Sequence, residues 1–201
     1  MSGFFDWLAV CFTAVFTGNI LLTQYLGMCS SLGASREIKT AAGLGIAVTA
    51  VMTATTALNW CVHTWLLEPL GLAYLSTIVF IVVIAAFTQL AEMVIERVSD
   101  SLYAALGIFL PLITVNCAIL GASLFMAIRG YGFAETTAYG FGSGLGWLLA
   151  ILAMAGIRKR IEKNRLPKGL EGPGIALIIA GIMALAFVGF ILWLLARDAK
   201  R

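Results

Sequence analysis

Two cysteines of this chain lie in matching heptapeptides, Cys29–Ser35 and Cys117–Ser123. The heptapeptides read Cys-Ser-Ser-Leu-Gly-Ala-Ser and Cys-Ala-Ile-Leu-Gly-Ala-Ser, so five of seven positions are identical at an offset of 88 residues. Thiolates are soft ligands that select iron–sulfur clusters, copper(I) or zinc. Free cysteine is also a small apolar residue that is often buried for packing alone. The repeat therefore leaves two interpretations open, a metal centre or a pair of packing positions.

A metal centre at these two positions would need ligands from elsewhere. A two-iron cluster takes four ligands, commonly cysteine, and the repeat supplies two. The other half would come from another chain, such as a paralogue with the same fold. Cys11 and Cys61 have no repeat partner, and we interpret them as packing residues. Four cysteines in apolar segments do not form the disulfide framework of a small secreted domain.

The composition indicates a membrane protein. Hydrophobic residues make up 61% of the 201 residues and charged residues only 11%, whereas a soluble domain averages about 25% charged residues. The net charge of +3 comes without a basic face interleaved with aromatic residues, so nucleic acid is excluded as a partner. Asp6 stands where a signal peptide would be basic, so we expect the first apolar stretch to be a retained anchor.

Six segments lack charged residues, and each is long enough to cross a bilayer once as a helix of about 20 residues. They are far longer than the roughly 9–11 residues of a membrane β-strand. The sequence therefore predicts an all-α membrane protein with six transmembrane helices. The segments are Trp7–Ser35, Thr40–Leu67, Pro69–Ala91, Ser101–Ile128, Thr136–Ile157 and Gly172–Ala196.

The distribution of lysine and arginine predicts the orientation. Nine of the thirteen lie in the loops after helices one, three and five, and four lie on the other side. Basic loops stay in the cytoplasm, so both termini are expected on the outer side. The densest basic run, Arg158–Lys168, is interpreted as a solvated cytoplasmic loop.

The repeat and the segments together predict an inverted duplication. Residues 1–98 and 99–201 hold three helices each, and an odd number of crossings turns the second unit over relative to the first. Helices one and four are expected to be interrupted near the membrane centre, where the cysteines would meet. Close helix packing is the alternative role of their small residues. The interrupting residues are Gly18, Asn19, Gln24 and Gly27 in helix one and Gly107, Pro111, Asn116 and Gly121 in helix four.

Two further features have competing interpretations. Glu92 ends the third apolar segment, and carboxylates within a membrane are usually functional, so it is a candidate for an ion path. It could equally lie at the cytoplasmic interface beside Glu96 and Arg97. The run Gly140–Gly146 resembles a phosphate loop but lacks a following lysine, so close helix packing is the better interpretation.

Several stretches resemble one family of membrane subunits, which two ion pumps share. These pumps are the sodium-translocating NADH:quinone reductase (Nqr, with its D and E subunits) and the Rnf ferredoxin:NAD oxidoreductase (with its E and A subunits). The similarity covers nearly the whole chain. The chain most resembles the E subunit of Nqr, and next the A subunit of Rnf. The stretches are Asn19–Leu22, Leu26–Cys29, Leu106–Ala118, Tyr139–Gly144 and Ala180–Phe187.

The resemblance implies a function for the paired cysteines. Members are six-helix inverted repeats of the bacterial inner membrane. Two paralogues pair, and each contributes two cysteines to one [2Fe–2S] cluster that passes single electrons towards a flavin-carrying subunit. The ligand positions fall on Cys29 and Cys117, with Gly27, Met28 and Asn116 beside them. Asn116 and freed backbone amides are expected hydrogen-bond donors to the cluster, and the acidic position that falls on Glu92 would belong to the ion path.

Two hypotheses from other classes compete with electron relay. Inverted repeats with broken helices are also typical of secondary transporters without a redox centre, and a structural assembly subunit would have the same composition. Iron and acid-labile sulfide in the purified complex would argue against the transporter. Electron flow that survives replacement of Cys29 would favour the structural role.

Overall fold

A computed structural model of the chain describes residues 2–98, 110–161 and 173–198, and within these ranges the only regular secondary structure is helical. The longer helices are α1 Ser2–Phe12, α2 Met28–Ala34, α3 Ile38–Val62, α4 Ser76–Val98, α5 Leu110–Thr114, α6 Cys117–Arg129, α7 Phe133–Ile161 and α8 Pro173–Asp198. Short π-helical turns continue α1 through Thr13–Thr17 and α3 through His63–Leu67. Three-residue helical turns at Glu68–Leu70 and Ala73–Leu75 follow before α4.

Within the described ranges, five helices are long and apolar enough to cross a membrane, which confirms a helical protein with several membrane spans. The first of the six expected segments differs, because its apolar helix covers only Trp7–Thr17 and is too short to span alone. Gly107, expected in the fourth segment, and residues 162–168 of the basic run lie outside the described residues. The five long spans are Ile38–Leu70, Ala73–Val94, Leu112–Arg129, Phe133–Ile161 and Gly174–Trp193.

Helix α7 is the central helix of the fold, and its glycines let two neighbours approach. Gly140 and Gly144 face α3, where a Cβ on Gly144 would lie 2.8 Å from the Cα of Thr49. Gly142 and Gly146 face α1 and its π-helical turn, and a Cβ on Gly142 would lie 2.7 Å from the Cys11 carbonyl oxygen. Such spacing requires residues without a side chain, so the packing interpretation of this glycine run is confirmed.

Helices α3 and α7 pack against each other in opposite directions. Gly45, near the start of α3, contacts Leu148, whereas Thr56, in the second half of α3, contacts Gly140 near the start of α7. Advancing along α3 therefore means moving backwards along α7. Around this pair, α1 packs on α7 and α6 packs on α3. The two halves of the sequence are thus interleaved and share one buried core.

Hydrogen bonds join the helix ends on both sides of the bundle. At one end, Nε1 of Trp60 donates to the Tyr131 carbonyl over 2.8 Å. At the other end, Nη1 of Arg158 donates to the Leu32 carbonyl over 3.0 Å and to the Ser35 hydroxyl over 2.6 Å. Each of these bonds connects one half of the sequence to the other.

The position of Arg158 corrects one expectation from the sequence. This residue was assigned to a solvated loop, but α7 continues to Ile161 and Arg158 is only 8% exposed. The last carbonyls of a helix have no intrahelical partner, and a basic side chain satisfies them well. Arg158 does this for α2, which ends beside it. A charge pattern alone does not distinguish such an arginine from its exposed neighbours Lys159 and Arg160.

Candidate metal centre

The first cysteine follows an irregular segment that asparagine holds in place. Backbone between the π-helical turn and α2 is not helical, so its amides and carbonyls need other partners. Asn19 supplies several of them while only 2% exposed. Its Nδ2 donates to the Gly146 carbonyl over 2.8 Å, and its Oδ1 accepts from the amides of Leu21 and Leu22 at 3.1 and 3.3 Å. The segment then enters α2, where Cys29 is the second residue.

The second cysteine also follows a break that an asparagine caps. Helix α5 ends at Thr114 and α6 begins at Cys117. Between them Asn116 adopts extended backbone angles, and its Oδ1 accepts from the Ala118 amide over 3.0 Å. This is the usual N-cap geometry. Cys117 is therefore the first residue of a 13-residue helix.

The fold brings the two cysteines together across the repeat. The side chains of Cys29 and Cys117 are close enough to interact with each other, and both thiols are free. The backbone amide of Gly27 donates to Sγ of Cys117 over 2.9 Å. Cys29 is exposed on the surface of the chain, as is Val115 before the second cysteine. The cysteine pair therefore lies at a face of the chain that is exposed at Cys29 and Val115.

Gly27 occupies a position that other residues do not fit. Its φ is +84°, in the left-handed region that favours glycine. A Cβ here would lie 2.5 Å from Nε1 of Trp147 and 3.2 Å from Oδ1 of Asn116. Met28, the next residue, is partly buried and packs against both clusters of core residues. Gly27 and Asn116 therefore lie close together at this turn, and a role of Gly27, Met28 and Asn116 beside the ligands stays a prediction.

Two buried N–H donors beside this turn have no partner among the described residues. They are Nδ2 of Asn116 and Nε1 of Trp147, and the residues are 2% and 0% exposed. Trp147 was missed by reasoning from the sequence. A signal existed, because tryptophan in membrane helices concentrates at the interfaces, whereas Trp147 lies near the middle of a charge-free segment. A buried tryptophan there indicates a specific packing or polar role.

The donor set fits half of a four-ligand cluster site. Across residues 2–98, 110–161 and 173–198, no three His, Cys, Asp or Glu side chains are grouped so that they could hold a metal ion. This part of the chain therefore offers two thiols at the site, and both are on an open face. Unpartnered N–H donors beside them suit a sulfur-rich anionic group, because hydrogen bonds to sulfur stabilise such clusters.

Three further residues singled out in the sequence, Glu92, Cys11 and Cys61, lie in α4, α1 and α3 and not at the Gly27 turn. Glu92 is partly buried on α4, two residues before the end of the apolar span at Val94. Within the described part of the chain it forms no ion pair. Cys11 and Cys61 are partly buried in α1 and α3. These positions leave both interpretations of Glu92 open, the ion path and the membrane interface.

Comparisons with known proteins identify relatives of the whole chain. Residues 7–194 match the protein family described as Rnf-Nqr subunit, membrane protein. The A subunit of the Na⁺-translocating ferredoxin:NAD⁺ oxidoreductase complex of Acetobacterium woodii is 50% identical over 181 residues, which are 90% of this chain and 94% of the relative. The E subunit of the Na⁺-translocating NADH-quinone reductase of Serratia proteamaculans is 51% identical over 183 residues, which are 88% of this chain and 92% of the relative.

A third relative extends the match further along the chain. The E subunit of the Na⁺-translocating NADH-quinone reductase of Marinobacter nauticus is 46% identical over 194 residues, or 92% of this chain and 96% of the relative. The relatives are thus subunits of membrane redox complexes, and this agrees with the resemblance found in the sequence. The chain belongs to the Rnf-Nqr family of membrane subunits.

Proposed function

We propose that this chain is an electron-relay subunit of a Na⁺-translocating redox complex of the Nqr or Rnf type. In this proposal Cys29 and Cys117 supply two of the four ligands of a [2Fe–2S] cluster, and a paralogous six-helix subunit supplies the other two. The observation that carries the proposal is the proximity of two free thiols from opposite halves of the chain, one of them exposed.

The residues around the thiols suit this role. When bound, the cluster would supply a one-electron carrier within the membrane. Cys29 and Cys117 would hold it as thiolates, and the positive end of α6 lowers the cost of negative charge at Cys117. The Gly27 amide donates to the Cys117 sulfur, and such bonds orient a ligand and adjust its basicity. Val115 and other apolar residues nearby would limit access of water.

The helix directions support an inverted repeat with interrupted helices. Helices α3 and α7 would be the second and fifth of six spans, and they run in opposite directions. Equivalent helices of two repeats are antiparallel when each repeat crosses the membrane an odd number of times. We assign α1 with α2 to the interrupted first span and α5 with α6 to the interrupted fourth. Both termini would then lie on the outer side of the bacterial inner membrane.

The partners follow from the open face and from the names of the relatives. The thiol pair, of which Cys29 is exposed and Cys117 partly buried, would be covered by the paralogue. Flavin-carrying subunits would exchange electrons with the shared cluster. Identity to the A subunit of an Rnf-type complex and to the E subunit of an Nqr complex is almost equal, 50% and 51%. The two complexes therefore remain alternatives for this chain. They differ in the redox partner of the nicotinamide, which is ferredoxin in one and quinone in the other.

Iron analysis of the intact complex tests the proposal directly. We expect the Cys29→Ser complex to contain about two iron atoms and two acid-labile sulfides fewer than the unaltered complex, the content of one [2Fe–2S] cluster. A Cys61→Ser complex is the matched control and should lose neither. A secondary transporter or a structural assembly role predicts equal iron in all three preparations, and that result would refute the cluster assignment.

A further inference from the structure

Two side-chain nitrogen atoms without a partner, in Asn116 and Trp147, can act only as hydrogen-bond donors. The Oδ1 of Asn116 accepts the Ala118 amide as the cap of α6, so the amide orientation is determined and the unpartnered atom must be the nitrogen. The indole nitrogen of Trp147 only donates. Both residues are buried, and a buried N–H without an acceptor destabilises the fold. The site therefore needs an acceptor that the described residues do not provide.

The position of these donors points to the cysteine pair. Trp147 and Asn116 both line the Gly27 turn, since a Cβ on Gly27 would lie 2.5 Å from the indole nitrogen and 3.2 Å from the asparagine oxygen. The amide of this same glycine donates to Sγ of Cys117 over 2.9 Å. N–H groups from three separate segments thus belong to residues that meet at one turn, and the amide of that turn contacts the Cys117 sulfur. Converging donors are typical of a site for an electron-rich, anionic group.

We propose that Trp147 and Asn116 donate hydrogen bonds to the sulfur atoms of the cluster that Cys29 and Cys117 hold. This inference rests on the proposed function. The cluster gains one negative charge when it is reduced, and an N–H dipole directed at its sulfur stabilises the reduced form more than the oxidised form. The two donors therefore raise the reduction potential, which hydrogen bonds to sulfur are known to control.

Redox titration of the intact complex, followed by EPR, tests this inference. Trp147→Phe keeps an aromatic side chain but removes the N–H group together with the five-membered ring that carries it. We expect this substitution to lower the midpoint potential of the membrane cluster by up to about 59 mV. For one electron, that shift is about a tenfold change in the reduction equilibrium. The matched control is Trp60→Phe, whose indole donates to the Tyr131 carbonyl at the end of α3. The control should leave the potential unchanged.

Asn116→Ser provides a second and independent test. Serine still caps α6 through its hydroxyl oxygen, but it lacks the unpartnered N–H group. We expect a shift in the same direction as for Trp147→Phe. If either variant fails to assemble, the other decides. A wild-type potential in an assembled variant that retains the cluster would overturn the inference for that donor.

A third measurement uses the unaltered protein. With ¹⁵N-labelled tryptophan, pulsed EPR of the reduced cluster should detect an indole nitrogen coupled through the hydrogen bond, and the signal should disappear in Trp147→Phe. A cluster without such coupling refutes the role of Trp147 even if neither variant assembles. The absence of any cluster from the unaltered complex would instead refute the proposed function, so the two failures are distinguishable.

Discussion

The backbone amide of Gly27 donates a hydrogen bond to Sγ of Cys117 over 2.9 Å, across 90 positions of sequence. This bond joins the irregular segment of the first half to the first residue of a helix in the second half. The amide can reach this sulfur only because the chain turns sharply at Gly27. The backbone of one half of the chain therefore donates a hydrogen bond to the cysteine sulfur of the other half.

Gly27→Ala should damage the site without unfolding the whole bundle. A residue other than glycine at φ +84° costs about 1–3 kcal/mol, and the new Cβ would collide with the indole of Trp147. We expect the variant complex to lose most of its membrane cluster and to melt at a lower temperature. Iron content and thermal unfolding measure the two effects.

The control for that experiment lies in α2, the short helix that follows Gly27. Gly33 has nothing within 4 Å of its Cβ position, and alanine is more favourable than glycine within a helix by roughly 0.5–1 kcal/mol. Gly33→Ala should therefore keep the cluster and leave stability unchanged or slightly raised. Normal cluster content in Gly27→Ala would show that the left-handed turn is dispensable.

Replacement of Cys117 by serine should abolish electron transfer through the membrane part of the complex. An alcohol oxygen is a poor substitute for a thiolate on iron, which prefers soft sulfur ligands. Cys11→Ser is the control and should have little effect, because this partly buried thiol has no repeat partner. Electron transfer from donor to acceptor and the EPR signal are measured together. A normal cluster spectrum from Cys117→Ser would disprove the ligand assignment.

Glu92→Ala should weaken the dependence of turnover on sodium and leave the cluster intact. A carboxylate near the end of the apolar span reduces the cost of partly dehydrating a cation, and alanine does not. Losing about 1.4 kcal/mol of ion binding raises the half-saturating concentration about tenfold. Turnover against sodium concentration is the measurement.

Glu96→Ala serves as the comparison, because Glu96 is exposed on the same helix one turn further on. An exposed carboxylate of this kind contributes less than about 1 kcal/mol, so its removal should leave sodium dependence unchanged. Equal behaviour of the two variants would assign Glu92 to the membrane interface and not to an ion path.

Arg158→Met should destabilise the protein by about 1–3 kcal/mol, as expected when hydrogen bonds from a charged group are removed and their acceptors stay buried. The lost bonds connect the end of α7 to Leu32 and Ser35 at the end of α2. Thermal unfolding of the purified complex measures the change. Arg160→Met, at an exposed position of the same helix, should be nearly neutral, and an equal loss in both variants would contradict this role.

Reporter fusions test the predicted orientation. A reporter inserted beside Lys163 should be active on the cytoplasmic side, and one fused after Arg201 should be active on the outer side. The reason is the excess of lysine and arginine in the loops after helices one, three and five. The opposite pattern would mean that neighbouring subunits, and not the charges of this chain, determine the orientation.

Local patterns in the sequence were sufficient to predict the class of protein and to single out the paired cysteines. The length of an apolar run and its lack of charge are properties of consecutive residues, and a bilayer of known thickness converts them directly into spans. The repeated heptapeptide likewise drew attention to Cys29 and Cys117 without any knowledge of contacts. The glycine run of α7 was interpreted correctly for the same reason, because its spacing already indicates faces of one helix.

Tertiary structure alone decided which side chains meet at the site. The partners of Gly27, Trp147 and Arg158 lie roughly 90 to 130 positions away in the sequence. Such contacts depend on the direction and crossing of α3 and α7 and on the path of the irregular segments, which no window of neighbouring residues encodes. Trp147 therefore looked like one more apolar residue, and Arg158 like one more loop charge, until the helices were packed together.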